Sequence, residues 1–351
     1  MTTRLLIDSI VQETSDTKSF VLKSSGNPIF YQPGQFLTLL YPLSSSIRRS
    51  YSLSSHPVLD ELLQITVKRI ANGEFSRWLF DRAKIGDHLE TIGASGFFTL
   101  PDDLSIDTAL FFLAAGSGIT PVFSLLKELL FERKQKVVLV YSSRSEIETI
   151  FYRELRALEK KFPERLSIVF LFSGDRNLYR ARLSKFLLAE LIHQDVSDKT
   201  KVLAYLCGPH DYMQMARITL LTEGIPLENI RTEKFNTDKP IVKELPPDAN
   251  QHYVSIEYQG NKFSLAVKYP NTILQTAKLQ GIELPYSCEA GRCGTCVATC
   301  LSGKIWMSRN DVLLDKEIEK GRVLTCTGYP VGGDAELMVN GYAERISIFT
   351  S

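Results

Sequence analysis

Along the first hundred residues, apolar and β-branched runs are short and broken by turn signals: FVLKSSGNP, Pro33-Gly34 ahead of QFLTLLY, LLQITVKRI, then Asn72-Gly73. That spacing predicts antiparallel strands forming a barrel or sandwich over residues 1–101. Near Pro101 the pattern changes. Residues 109–115 (ALFFLAA), 136–141 (KVVLVY), 166–172 (LSIVFLF) and 201–207 (KVLAYLC) are unbroken apolar runs, as strands covered on both faces require. Helical patterns separate them. Ser145 and Glu148 have capping-box spacing, and Ile147, Ile150, Phe151, Leu155, Leu158 and Phe162 recur on one face. The alternation predicts an α/β unit with a doubly wound parallel sheet over residues 102–235. Residues 236–250 (NTDKPIVKELPPDAN) hold three prolines and no period, the pattern of an interdomain linker. A hairpin signal around Gly260-Asn261 and a short helix at about 273–280 open the last stretch, so residues 251–351 are expected to form a small α+β domain.

Composition narrows the function classes. At 351 residues, 44% apolar and 23% charged, the chain is globular and too long for one core. Forty-one Lys and Arg against 40 Asp and Glu leave a net charge of +1, so nothing points to nucleic acid or an anionic membrane surface. The longest strongly apolar stretch, 109–115, is far short of a membrane span, and the opening MTTRLLIDSI lacks the apolar block of a signal peptide. No membrane insertion and a cytoplasmic location are the expectation.

Six cysteines change the picture further. Cys207 stands alone, Cys288, Cys293, Cys296 and Cys300 crowd together, and Cys326 follows. Bunched thiols without an export signal read as metal-binding or redox-active. Cys288-Glu-Ala-Gly-Arg-Cys293-Gly-Thr-Cys296, with Cys326 further on, has the C-x4-C-x2-C…C spacing of a plant-type 2Fe–2S centre. Electron-rich sulfur needs backbone N–H groups aimed at it, and Gly291 and Gly294 permit the positive-φ turns this takes. Structural zinc is the competing reading, but zinc draws cysteines as separated C-x2-C pairs. Cys300 follows Cys296 by four residues in what reads as a departing strand, too far on to share one compact cluster; it is expected to be a small buried thiol.

Two further sets of residues suggest cofactor sites. Arg49-Ser50-Tyr51-Ser52 precedes Asn72-Gly73-Glu74-Phe75-Ser76. A helix beginning near Ser76 behind a glycine can hold a pyrophosphate, Arg49 can neutralise it, Tyr51 can stack on an isoalloxazine, and Ser52 can hydrogen-bond its reactive edge. Ser50, Val67, Lys68 and Phe75 complete this candidate lining. A capped helix start and a solvent-facing serine are the ordinary alternatives. Gly116-Ser117-Gly118-Ile-Thr120-Pro121 follows the first parallel strand, where a glycine turn can bring backbone against a phosphate. The second such strand ends Tyr141-Ser142-Ser143-Arg144, with no acidic residue to hold a ribose 2′-hydroxyl. Ser142, Ser143 and Arg144, with Arg182 nearby in the fold, therefore favour the 2′-phosphate of NADPH, with NADH the alternative and a solvated loop arginine the bland one. Cys207-Gly208-Pro209 opens another helix, and Glu233-Lys-Phe235 ends the fifth strand. A buried structural thiol competes for Cys207.

Taken in order, the RSYS, NGEFS, GSGITP, YSSR, CGP and EKF segments and the cysteine loop resemble the ferredoxin–NADP reductase superfamily with a fused C-terminal plant-type ferredoxin. The similarity is greatest to reductase components of oxygenases, of the phenylacetyl-CoA epoxidase and ketosteroid hydroxylase type. It implies an antiparallel FAD barrel, a nucleotide domain and a β-grasp ferredoxin domain. It implies FAD at Arg49, Tyr51, Ser52, Gly73 and Ser76, nicotinamide near Cys207, and Glu233 and Phe235 close to the flavin. Ser52, Cys207 and Glu233 are then the catalytic candidates, and Cys288, Cys293, Cys296 and Cys326 the ligands of one 2Fe–2S cluster. The partner implied is a separate terminal oxygenase. Gly93-Ala94-Ser95-Gly96 departs from the Gly-Pro of many relatives, as Cys300 does from a usual aliphatic residue. An electron-transfer subunit of a dihydroorotate-dehydrogenase type and a non-enzymatic redox sensor are the other readings. The first has a much shorter final cysteine gap, and the intact Arg-x-Tyr-Ser and glycine segments argue against the second.

Overall fold

The computed structural model describes residues 2–196, 198–235 and 245–339. Its first unit has six antiparallel strands: β1 (Thr3–Thr14), β2 (Thr17–Ser24), β3 (Phe36–Tyr41), β4 (Ser44–Ser52), β5 (Leu63–Lys68) and β6 (His88–Ser95). They run in the order β4-β3-β6-β1-β2-β5. The edges meet through a Leu53–Ile65 bridge and the Ser54 N–H donating to the Gln64 carbonyl at 2.8 Å, which closes the barrel. Alternate residues, among them Leu5, Ile7, Phe20, Leu22, Leu37 and Leu39, point inward and are fully buried. Helix α1 (Glu74–Asp81) buries Phe75 and Leu79 against this core. It begins at Glu74, two residues before the expected start, because extended Gly73 is already its N-cap.

The middle unit is a parallel sheet of β7 (Ala109–Ala115), β8 (Val137–Ser143), β9 (Leu166–Phe172), β10 (Val202–Cys207) and β11 (Ile230–Glu233), in the order β11-β10-β7-β8-β9. Helices α2 (Ile119–Lys127), α3 (Tyr152–Lys161), α4 (Leu178–Ala181), α5 (Lys185–Asp195) and α6 (His210–Thr222) cover it. Strand alternation explains the two cores: Phe112 and Tyr205 pack on one face, Phe111 and Leu206 on the other. One expectation fails. The Ser145 side chain makes no cap, a single 3₁₀ turn spans Glu146–Glu148, and Ile147 is 82% exposed. Glu148 instead accepts the Ser15 hydroxyl of the barrel at 2.8 Å. Phe151 then takes a left-handed turn (φ 60°) that buries its ring on Phe123, 4.3 Å away, before α3 begins.

The third unit is a mixed sheet with a helix laid across it, the β-grasp arrangement. It comprises β12 (His252–Tyr258), β13 (Asn261–Val267), α7 (Ile273–Leu279), β14 (Val297–Ser302), β15 (Ile305–Met307), α8 (Asp315–Glu319), β16 (Arg322–Leu324), β17 (Gly328–Pro330) and β18 (Ala335–Val339). The main sheet runs β13-β12-β18-β14-β16, with β12 and β18 parallel, and β15 pairs with β17. The expected linker lies partly outside the described residues, at 236–244. Its far end is bound to this unit: the Asp248 carboxylate accepts the N–H groups of Asn250 and Gly332, each at 2.9 Å, and meets His252 Nε2 at 2.6 Å.

The barrel lies between the other units. Toward the middle one, Ser124 donates to the Ser55 carbonyl at 2.6 Å, Lys127 pairs with Asp60 at 2.6 Å, and buried His56 meets Glu128 at 2.8 Å. Toward the third, the Ser50 and Ser287 hydroxyls lie 2.7 Å apart, Ser95 and Thr295 3.2 Å, and the Arg48 guanidinium sits 3.9 Å from the Tyr286 ring centre. Among the described residues no helix is long and apolar enough to cross a membrane.

Candidate functional site

Where the three units converge, a cavity of about 350 Å³ opens. The barrel supplies Arg49, Ser50, Tyr51, Ser52, Lys68, Gly73, Phe75 and Ser76, the middle unit Ser117, Thr120, Glu233 and Phe235, and the third unit Cys288 and Cys293. Fourteen positions singled out from sequence thus line one space. Tyr51 stands edge-on to Phe75 at 5.7 Å. The Ser76 hydroxyl donates to the Gly73 carbonyl at 3.1 Å, and a side chain on Gly73 would meet that hydroxyl at 2.4 Å, so only glycine closes this turn onto its helix. An aromatic and hydroxyl lining with Arg49, Lys68 and Arg292 at hand suits a flat heteroaromatic group bearing phosphates.

Ser52 Oγ donates to Glu233 Oε2 at 3.1 Å across the boundary between barrel and parallel sheet. Burial pushes the Glu233 carboxyl up to about 8, with the Ser52 hydroxyl pulling the other way. Cys207 is paired with Glu233 and Ala114 on neighbouring strands. Burial pushes its thiol well above the usual range, and it is wholly enclosed under the turn that Gly208 and Pro209 begin. Its side chain does not reach the cavity lining. Gly116 and Gly118 form the facing turn, and a methyl on Gly118 would sit 2.0 Å from the Cys207 carbonyl oxygen. These two turns therefore touch at the ends of β7 and β10, where the strand order reverses, the usual crevice for a nucleotide in such sheets.

Other positions are placed differently. Val67 is buried in the barrel core, so it offers a ligand only backbone. The Ser143 hydroxyl is held by Thr149 Oγ1 at 2.5 Å, while Arg144 is exposed at the strand end beside half-buried Ser142. Of the expected 2′-phosphate set, Arg144 and Arg182 are both solvent-facing cations. Phe97, Ser287, Arg292 and Asp311 also line the cavity and were not singled out from the sequence.

The thiols pair two and two. Cys288 lies within hydrogen-bonding reach of Cys293, and Cys296 of Cys326. The Cys293 thiol and the N–H groups of Arg292, Ala290 and Cys293 hold the Cys288 sulfur below the ordinary thiol range. Gly291 and Gly294 both have positive φ (71° and 73°), as this inward-facing loop requires. Among the described residues no three His, Cys, Asp or Glu side chains converge on one point. Two pairs of thiols fit a binuclear centre with two ligands per iron. Cys300 lies on β14, half-buried instead of fully buried, its thiol donating to the Ser302 carbonyl at 3.3 Å.

Comparison with known proteins is consistent across the chain. Residues 4–100 match the model of an oxidoreductase FAD-binding domain, 112–218 that of an oxidoreductase NAD-binding domain, and 256–331 that of a 2Fe-2S iron-sulfur cluster binding domain. The ferredoxin reductase component of 3-ketosteroid-9-alpha-monooxygenase from Rhodococcus rhodochrous is 37% identical, covering 93% of this chain and 94% of its own. A component of the 1,2-phenylacetyl-CoA epoxidase from Escherichia coli is 31% identical over 87% of each. The solved structure of phthalate dioxygenase reductase, described as modular for electron transfer from pyridine nucleotides to [2Fe-2S], superposes with a TM-score of 0.60 at 26% identity, covering 95% of this chain and 97% of that one.

Proposed function

This chain belongs to the ferredoxin-reductase-type family of NAD(P)H oxidoreductases, and we propose from that premise that it draws electrons from NADPH and delivers them, through FAD and a 2Fe–2S cluster, to a separate oxygenase. The observation that carries the reading is the shared cavity: barrel residues Tyr51 and Ser52, Glu233 of the parallel sheet, and Cys288 and Cys293 of the cysteine loop border the same space. Bound flavin supplies the conversion of a two-electron hydride into single electrons, which the cluster accepts one at a time.

The chain's own residues do the rest. Arg49, Gly73 and Ser76 hold the flavin and its phosphates, with Ser50, Lys68 and Phe75 around them, and the Tyr51 ring fixes its plane. Ser52 and Glu233 form the polar wall on the nicotinamide side. Glu233 holds a proton there at neutral pH because burial disfavours its charge. The turns at Gly116–Gly118 and Gly208–Pro209, with Ser117 and Thr120, take the nucleotide phosphates. Cys207 serves as an uncharged packing element beneath the nicotinamide. Arg144 selects the 2′-phosphate, with Ser142 beside it. Phe235 covers the cavity from the end of β11. Cys288, Cys293, Cys296 and Cys326 hold the cluster. A cytoplasmic location suits six cysteines none of which is in a disulfide.

The test uses purified holoprotein. NADPH should bleach the flavin absorbance and then the cluster absorbance, and cytochrome c should be reduced catalytically. A cluster that stays oxidised while cytochrome c is reduced would refute the relay.

A further inference from the structure

Just past the end of β6 the chain carries two consecutive aromatic residues, Phe97 and Phe98, whose rings go to different neighbouring units. Phe98 enters the middle unit. It is 4% exposed, belongs to the core of the parallel sheet, and stands edge-on to Tyr205 at 5.0 Å. Tyr205 in turn donates its hydroxyl to the Thr99 carbonyl at 2.8 Å. Phe97 enters the third unit. Its ring packs against the hydrophobic core of that domain and lies over the cysteine loop at Gly294, where an added methyl would fall 2.6 Å from the ring. The Ser95–Thr295 contact lies beside it. Both rings also border the cavity.

We propose that Phe97 is a positioning residue that fixes the cysteine loop against the cavity, as Phe98 fixes the nucleotide-binding unit on the other side. The dipeptide thereby sets the separation between the cavity and the cluster. This rests on the relay reading above. The transfer concerned moves one electron per event from the cavity's occupant to the cluster, with no bond made or broken, and an external one-electron acceptor such as cytochrome c then consumes each electron. Truncating Phe97 removes the surface on which residues 293–295 rest. The loop then loses a fixed distance to the cavity, while the contacts of Ser52, Glu233 and Phe98 stay in place.

The test compares wild type, Phe97→Ala and Phe97→Leu as full-length holoproteins by rapid mixing with NADPH, with amide hydrogen exchange in residues 288–296 as a readout independent of turnover. Phe97→Ala should slow cluster reduction several-fold, through a lengthened and less well-defined path to the cluster, and slow flavin bleaching by clearly less. Exchange in the loop should rise, and Phe97→Leu should restore most of both. Equal slowing of both steps, or no change in exchange and transfer, overturns the proposal. If Phe97→Ala assembles no cluster, the smaller truncation Phe97→Val decides, and a full cluster with wild-type transfer and exchange in that variant overturns it. A wild-type cluster that never reduces sinks the relay reading instead, which is a distinguishable result.

Discussion

Replacing Glu233 with Gln should remove one component of the protein's pH-dependent stability. The carboxyl is half-buried at the meeting of barrel and sheet, where it lines the cavity, and desolvation raises it from 4.5 to about 8. Among the described residues it has no ion pair, and its hydrogen bond is the Ser52 hydroxyl at 3.1 Å. Between pH 4.5 and 8 the folded chain keeps a proton that the unfolded chain has released, so stability falls as pH rises through that window. At about 1.4 kcal/mol per pKa unit, the full shift is worth about 5 kcal/mol above pH 8. Water entering the cavity beside the charged carboxylate returns part of this, leaving a few kcal/mol, on the order of that for an imperfectly satisfied buried charge. The glutamine amide has nearly the shape of the protonated acid and still accepts from Ser52. Unfolding midpoints of both full-length proteins, measured side by side at pH 5 and pH 9, isolate the residue because all other titrating groups cancel in the difference. The variant should match wild type at pH 5 and exceed it at pH 9. A difference that does not vary with pH, or one favouring wild type at pH 9, would refute the burial argument.

Three further outcomes are expected. Serine at Cys288, Cys293, Cys296 or Cys326 should cost iron and visible absorbance, whereas Cys300→Ser should keep both, since that thiol points to the Ser302 carbonyl; iron content decides. Arg144→Ala should raise KM for NADPH by about 10–100-fold, the worth of a charge-assisted phosphate contact, and leave NADH nearly unchanged. Equal losses with both nucleotides would assign Arg144 to shared contacts. Gly118→Ala forces a methyl to 2.0 Å from the Cys207 carbonyl oxygen. Overpacking of this kind costs about 1–3 kcal/mol, so nucleotide-driven flavin bleaching should fall sharply while flavin content persists.

What could be read in advance follows how far apart the cooperating residues lie in the chain. The strands at Ala109–Ala115 and Leu166–Phe172 match their apolar runs to the residue, and in the first every side chain between the ends is buried, so no polar position blurs its limits. The cysteine loop is equally local. The helix expected from Ser145 begins only at Tyr152, because a 3.6-residue period records which positions are apolar, not which tertiary partner claims them: Glu148 went to Ser15 and Phe151 to Phe123.

The cavity's far wall was hidden for the same reason. Ser50 and Ser287 are 237 positions apart and are ordinary serines in sequence. Phe97 and Phe98 show the point most clearly. In the sequence they are two more apolar residues ending a strand, with nothing to mark one from the other. In the fold, the bend at Phe97 just past β6 gives each to a different neighbouring core, Phe98 to the parallel sheet and Phe97 to the cluster domain. A motion that shifted the cysteine loop would have to pull the Phe97 ring from that core, whereas one at the nucleotide turn would act on Phe98. The two ends of the cavity are thus anchored by separate rings on a single stretch of backbone, which is why a change at Phe97 should separate the two electron-transfer steps instead of weakening both.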